Sequence, residues 1–235
     1  MCGRYTLIKL ADFINVFPWI HPPEEEPLPR YNIAPSQPIL AVANDEKHQM
    51  RFYHWGLVPS WAKDPSVGYR MINARAETIS TKPAYRSAFK RRRCIIPADG
   101  FYEWRKEPDG KTRTPMYIRM KDSRPFAFAG LWEVWRSEDG SELPTCTIIT
   151  GLPNELVANI HDRMPVILSQ EDCKRWLDPG EQPADALMGL LKPYPAEEMD
   201  ASPVGRAVNN PRHDSPKCIQ SVADQLKDPE QPTLF

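Results

Sequence analysis

The 235-residue sequence contains no Cys-x-x-Cys pair, and its five cysteines stand far apart at positions 2, 94, 146, 173 and 218. That spacing fits neither a zinc site nor a disulfide framework, and it points to a reducing compartment. No stretch approaches the roughly 20 apolar residues of a membrane helix, and no apolar signal-peptide core opens the chain. A cytosolic protein is expected. The histidines at 21, 48, 54, 161 and 213 are scattered, so neither a metal nor a cofactor is expected. Net charge is only −1, and the overall balance therefore argues for no particular partner.

Proline, by contrast, is plentiful at 26 residues. It disfavours long helices and favours short strands joined by turns. Nine β-type runs bounded by Pro, Gly, Asp or Asn are predicted as strands: Arg4–Ile8, Pro38–Ala43, Arg51–Val58, Cys94–Ile96, Phe101–Arg105, Met116–Met120, Phe126–Trp135, Thr145–Thr150 and Val166–Leu168. Short helices are expected over Lys82–Phe89, Asn154–Ile160, from the Ser169 cap through Trp176, and over Pro183–Lys192. No linker divides the chain. The expected class is α+β, one strand-rich domain over residues 2–218 followed by a polar tail, 219–235.

Charge is unevenly spread. Residues 1–120 hold 19 basic and 12 acidic side chains, and the remainder reverses the balance with 11 and 19. Residues 70–93 hold eight basic residues against the single acid Glu77. Such a run suits either a phosphate backbone or a solvated stripe.

Four segments place polar residues where a fold rarely needs them. Loss of Met1 would make Cys2 a 1,2-aminothiol, with an amine near pKa ~7.7–8.0 and a thiol near ~8.5. Amine and aldehyde form an imine, and the adjacent thiol closes it to a thiazolidine. The competing reading is an unremarkable residue at a frayed end. Gly3 frees the local backbone, and Arg4 is expected to lower both pKa values, to bind a phosphate or to sit in a rim salt bridge. Asn73 and Arg75 should share one side of an extended segment, unless Asn73 simply starts a turn. Glu103, among aromatic residues, is either buried with a raised pKa or exposed on a strand. His161 follows a helix end, where the dipole favours its charged form, and serves either proton transfer or structure. Trp55 reads as core, leaving Trp61 to stack on or wedge between bases.

Taken in order, Met1–Arg4, Tyr31–Pro35, Trp55–Pro59, Asn73–Thr78, Gly100–Trp104, His161–Pro165 and Val204–Asn209 resemble the SRAP (SOS response-associated peptidase) family. The likeness runs from residue 2 to about 210. It implies a curved, barrel-like mixed β core with short peripheral helices. It also implies a protein that crosslinks to abasic sites in single-stranded DNA, nucleoid-associated when bound. On that resemblance Cys2 is the nucleophile, Asn73 holds the opened sugar, Glu103 moves protons at the amine, and His161 acts on the sugar hydroxyl. Arg4, Arg75 and Arg163 would grip phosphates, Trp61 and Pro35 would lie near stacked bases, and Thr150 would complete the pocket.

The family name also implies an alternative, an N-terminal-cysteine peptidase or amidohydrolase that removes its own Met1. A non-covalent single-strand binder is a third reading. The ending Gln231-Pro232-Thr233-Leu234-Phe235 resembles short peptides that dock on the bacterial sliding clamp through Gln231, Leu234 and Phe235. A monomer is expected.

Overall fold

Two sheets meet along the first strand of the chain. The computed structural model describes residues 2–225. The chain starts with β1 (Tyr5–Leu7), helix α1 (Leu10–Val16) and β2 (Arg30–Ile33). The antiparallel pair β3 (Pro38–Ala43) and β4 (Met50–Trp55) follows, then the three-residue β5 (Asn73–Arg75) and helix α2 (Arg86–Arg91). The next strands are β6 (Arg93–Ala98), β7 (Gly100–Lys106), β8 (Arg113–Met120), β9 (Phe126–Arg136) and β10 (Glu142–Gly151). After α3 (Glu155–Ala158) come β11 (Met164–Pro165), β12 (Ile167–Leu168), α4 (Gln170–Trp176), α5 (Ala184–Met188) and β13 (Met199–Pro203).

Strands β10, β4, β3, β6 and β9 pair in sequence, and β9 pairs back onto β10, so five strands close into a barrel. It is mixed, because β10 and β4 run parallel while the other pairs are antiparallel. All six residues of β6 are buried, as expected of a strand covered on both faces. Closure is tight at Gly130 on β9. A Cβ there would lie 2.9 Å from Cys94 Sγ, Ile96 Cδ1 and the Thr147 carbonyl. Cys94 and Cys146 are fully buried, as small core residues.

The second sheet is open, in the order β13-β8-β7-β1-β2. Its inner face packs on the barrel through Tyr5, whose ring centroid lies 5.4 Å from Trp55 and 5.8 Å from Phe128. Its outer face carries a smaller cluster of Tyr102, Tyr117, Val204, Val208 and Cys218. Side chains of β7 alternate: Phe101 joins the main core, while Tyr102 and Trp104 turn to the other side. The packed chain continues past 218, with Ile219 against this cluster and Ser221 bridged to Val204.

Local signals explain the helices that were legible. Asn154 accepts from the Val157 amide at 2.9 Å, and Ser169 from the Asp172 amide at 3.1 Å, capping α3 and α4. Other expectations need correction. The predicted Lys82–Phe89 helix starts only at Arg86, beyond Pro83 and the preceding turn. The predicted Arg51–Val58 strand ends at Trp55, because Gly56 takes φ +143° and turns the chain. Helix α1 has no capping side chain, and β2, β5 and β13 are strands by virtue of their neighbours. None of these four was predicted. Among the described residues no helix is long and apolar enough to cross a membrane.

Candidate active site

The segments singled out in the sequence converge where the two sheets meet. In the β1–β7 ladder Tyr5 faces Phe101, and the Tyr102 amide donates to the Arg4 carbonyl at 3.0 Å. Continuing that antiparallel register sets Gly3 across from Glu103. From the barrel side, β5 runs parallel to β10 with Asn73 opposite Ile148 and Arg75 opposite Thr150. Asn73 thereby reaches the N-terminal residues, and its Nδ2 donates to the Cys2 carbonyl at 2.8 Å. The Tyr85 hydroxyl donates to the Asn73 carbonyl at 3.3 Å and steadies this short strand. Asn73 Oδ1 is buried and accepts no hydrogen bond from the described residues.

Glu103 is 2% exposed. Burial raises its carboxyl pKa from 4.5 to about 7, where it can both accept and return a proton near neutrality. His161 Nε2 lies 4.0 Å from Glu103 Oε2. The Arg163 amide donates to His161 Nδ1 at 3.0 Å. The same nitrogen lies 2.9 Å from Asp162 Oδ1, so Nδ1 meets both an amide donor and a carboxylate acceptor, and Nε2 is left facing Glu103. Burial holds the His161 pKa below its ordinary value. This corrects the expectation that a helix dipole favours its charged form, since α3 is only four residues long.

Cys2 is fully buried, and its thiol pKa is pushed up, first by burial and then by the Glu103 carboxylate. The expected lowering by Arg4 is not found. Arg4 Nη1 donates instead to Asn32 Oδ1 at 2.9 Å and to the Val208 carbonyl at 2.6 Å. Its guanidinium also lies 5.9 Å over the Trp104 ring.

Arg163 forms a two-pronged pair with Glu77, at 2.6 and 3.0 Å, and donates to the Thr150 carbonyl at 2.5 Å. Thr150 itself is buried. Arg75 is exposed at the rim, and Pro35 is half-buried in the turn after β2. Trp61 is 68% exposed, while Trp55 is fully buried with its indole N–H on the Ile72 carbonyl at 2.9 Å. The loop bearing Trp61 is fastened at its base by Gly56 and Gly68. A Cβ on Gly56 would meet the Gly68 carbonyl at 2.6 Å. Trp135 clips the tip, donating to the Ala62 carbonyl at 2.7 Å.

The basic run 70–93 is not one track. Arg93 is buried, Arg92 pairs with Glu133, and Lys90 and Arg91 pair with Glu181. Arg70, Arg75, Lys82 and Arg86 remain at the surface.

The chain as a whole matches a known family. The family model described as SOS response associated peptidase (SRAP) matches residues 1–211. The chain belongs to the SRAP family. Abasic site processing protein YoqW of Bacillus subtilis (strain 168) is 51% identical over 226 residues, covering 94% of this chain and all of that protein. Abasic site processing protein YedK of Escherichia coli (strain K12) is 32% identical, covering 94% of this chain and 100% of its own. The solved structure of a protein from Bacteroides thetaiotaomicron superposes with a TM-score of 0.78 at 28% identity, covering 94% of this chain and 100% of that one.

Three SRAP-site contacts were missed from the sequence: Tyr85 under Asn73, Glu77 in the fork of Arg163, and Asn32 under Arg4. Tyr31–Pro35 and Asn73–Thr78 were visible as motifs, but their partners lie 28 to 86 positions away. Met1 and the Gln231, Leu234 and Phe235 anchors lie outside the described residues.

Proposed function

We propose that this protein recognises abasic sites in single-stranded DNA and shields them by a covalent thiazolidine link to Cys2. Membership of the SRAP family and relatives named abasic site processing proteins support the recognition. The observation that carries the chemistry is the Asn73 bond to the Cys2 carbonyl, beside a buried carboxyl that titrates near 7. Removal of Met1 would make the nitrogen of residue 2 a primary amine at this point.

The steps follow from the groups present. Glu103 as carboxylate takes a proton from the α-ammonium, and the free amine adds to the C1 aldehyde of the opened sugar. His161 serves the sugar hydroxyl through Nε2 during ring opening. Glu103, now protonated, gives its proton to the leaving hydroxyl of the carbinolamine, and the iminium ion left as water departs returns its N–H proton to the Glu103 carboxylate to give the imine. The Cys2 thiol then adds across the C=N bond, its proton passing to nitrogen, and a five-membered ring closes. One water leaves and no electrons change hands. The raised thiol pKa fits this last role, since the amine attacks first and the neutral thiol is held in reserve. Asn73 Oδ1, a buried acceptor, suits the new amine or a sugar hydroxyl. Schiff-base chemistry of this kind also allows lyase-type strand cleavage, which thiazolidine closure suppresses. Arg75, with Arg163, meets the flanking phosphates, while the Arg4 guanidinium is taken up inside the protein and Trp61 and Pro35 face the neighbouring bases. Thr150 anchors Arg163 through its carbonyl. The protein acts as a monomer, and its last five residues dock on the sliding clamp; deleting 231–235 should abolish clamp affinity.

The test is a denaturing gel of protein mixed with single-stranded DNA bearing one abasic site. A heat-stable adduct is expected, lost in Cys2→Ala and in protein retaining Met1. Absence of adduct together with turnover of a peptide or amide would establish the peptidase reading instead. A Cys2→Ala variant that kept every DNA-linked effect would establish simple binding.

A further inference from the structure

Residues 2–4 precede the first strand, and the β-ladder reaches them through the Tyr102 amide on the Arg4 carbonyl at 3.0 Å. Two side chains add to that hold. One is Asn73, on the Cys2 carbonyl at 2.8 Å. The other is Arg4, and what holds Arg4 is Asn32. Asn32 is completely buried, and its amide is used on both ends. Its Oδ1 accepts from Arg4 Nη1 at 2.9 Å. Its Nδ2 donates to the carbonyls of His213 at 2.7 Å, Asn210 at 3.1 Å and Val208 at 3.2 Å. The Val208 carbonyl also receives Arg4 Nη1 at 2.6 Å. The assembly is closed from outside by Trp104, which donates to Asn209 Oδ1 at 2.8 Å and lies under the Arg4 guanidinium. Asp214 accepts from the Tyr31 and Asn32 amides at 2.5 and 3.0 Å, and from Arg30, tying the segment to β2.

We infer that Asn32 is a positioning residue for the reaction of Cys2. It clasps the segment 208–214 over the Arg4 guanidinium, and Arg4 thereby fixes the backbone two residues from the nucleophile. An amide suits this place better than any other side chain of its size. One end must accept from a cation while the other donates to several carbonyls. Aspartate would keep the first role and lose the second, and leucine would lose both. Misplacing a reacting group by about 1 Å costs on the order of 100-fold in rate. A clasp that acts through one arginine therefore has a measurable effect on chemistry without touching the lesion. The inference rests on the crosslinking reading above.

The experiment is single-turnover crosslinking of Met1-processed protein to abasic single-stranded DNA, with rates taken per folded molecule. Binding is measured separately on an oligonucleotide carrying a tetrahydrofuran analogue, which has no aldehyde. Adduct formation by the wild-type protein comes first; its failure removes the crosslinking reading and not the clasp alone. With the wild type active, Asn32→Ala is expected to slow crosslinking about tenfold or more while analogue affinity changes less than about threefold. In an Arg4→Met background the same substitution should add nothing, because both act through one contact. A wild-type rate in Asn32→Ala, or slowing that multiplies undiminished with Arg4→Met, overturns the inference. Should Asn32→Ala not fold, Asn209→Ala removes the outer Trp104 contact at an exposed residue. It should slow crosslinking about two- to fourfold at unchanged affinity, and a wild-type rate there overturns the inference equally.

Discussion

The buried polar centres at Arg93 and at Cys2 are built on opposite plans. Arg93 sits under the barrel wall, wholly buried, and its guanidinium donates to backbone carbonyls. These are Trp176 at 2.8 Å, Asp178 at 2.6 Å, Gly180 at 3.2 Å, Phe89 at 3.3 Å and Lys90. Phe89, Lys90 and Trp176 belong to the last turns of α2 and α4, whose carbonyls have no helical partner. One cation thus closes two helix C-termini, where positive charge is favoured. Burial lowers its pKa to about 10, which leaves it charged at neutrality. Around Cys2 the polar groups keep capacity in hand. Asn73 holds a buried acceptor with no donor among the described residues, and Glu103 is poised near neutral pH. Saturation marks a group that holds the fold. Reserved capacity marks a group that awaits a ligand.

The comparison breaks if the two centres respond alike to substitution. The largest effect belongs to Cys2→Ala, which should remove all heat-stable adduct while leaving the urea midpoint nearly unchanged. Arg93→Met should do the reverse. Stranding several buried carbonyls is expected to cost about 3 kcal/mol or more in a urea titration, with the crosslinking rate per folded molecule intact. A loss of chemistry in Arg93→Met at full stability would erase the distinction. Asn73→Ala should slow crosslinking about 10- to 100-fold with little change in thermal midpoint, because its amide orients the reacting residue.

Glu103→Gln sharpens the contrast through pH. The wild-type rate should rise as pH passes through about 7, where the carboxylate forms, and the variant should be slow with no such inflection. Stability runs the other way. A carboxyl whose folded pKa is raised stabilises the fold below its unfolded pKa, and that contribution is lost as pH rises through the folded value. Wild type should therefore lose thermal midpoint relative to Glu103→Gln between about pH 5 and 8. Equal midpoint differences across that range would mean that Glu103 titrates normally. The smallest effect is expected of Glu77→Gln. Loosening the fork of Arg163 should change the salt dependence of analogue binding by less than the slope of about 0.7 per phosphate contact on single strands.

The sequence by itself determined a good deal. It specified a strand-rich α+β chain, because turn residues punctuate short β-branched and aromatic runs, and local chemistry of that kind does not need distant partners. It located the caps at Asn154 and Ser169, the buried Trp55 and the segments that meet at Cys2, but it left Glu103 between a buried and an exposed place, which only the fold decided. Tertiary structure decided the rest. Strands as short as β5 exist only by pairing, here with β10, and no three-residue propensity could announce that. The basic run 70–93 read as one patch, yet folding sent Arg93 inward and gave its neighbours acidic partners, because charge in sequence carries no direction in space. The pKa values of Cys2 and His161 moved against expectation, since burial outweighed the neighbouring charge or helix end that the sequence displayed. What made a site of these residues was the meeting of two sheets. It sets the amide of Asn73 against the carbonyl of Cys2, 71 positions apart.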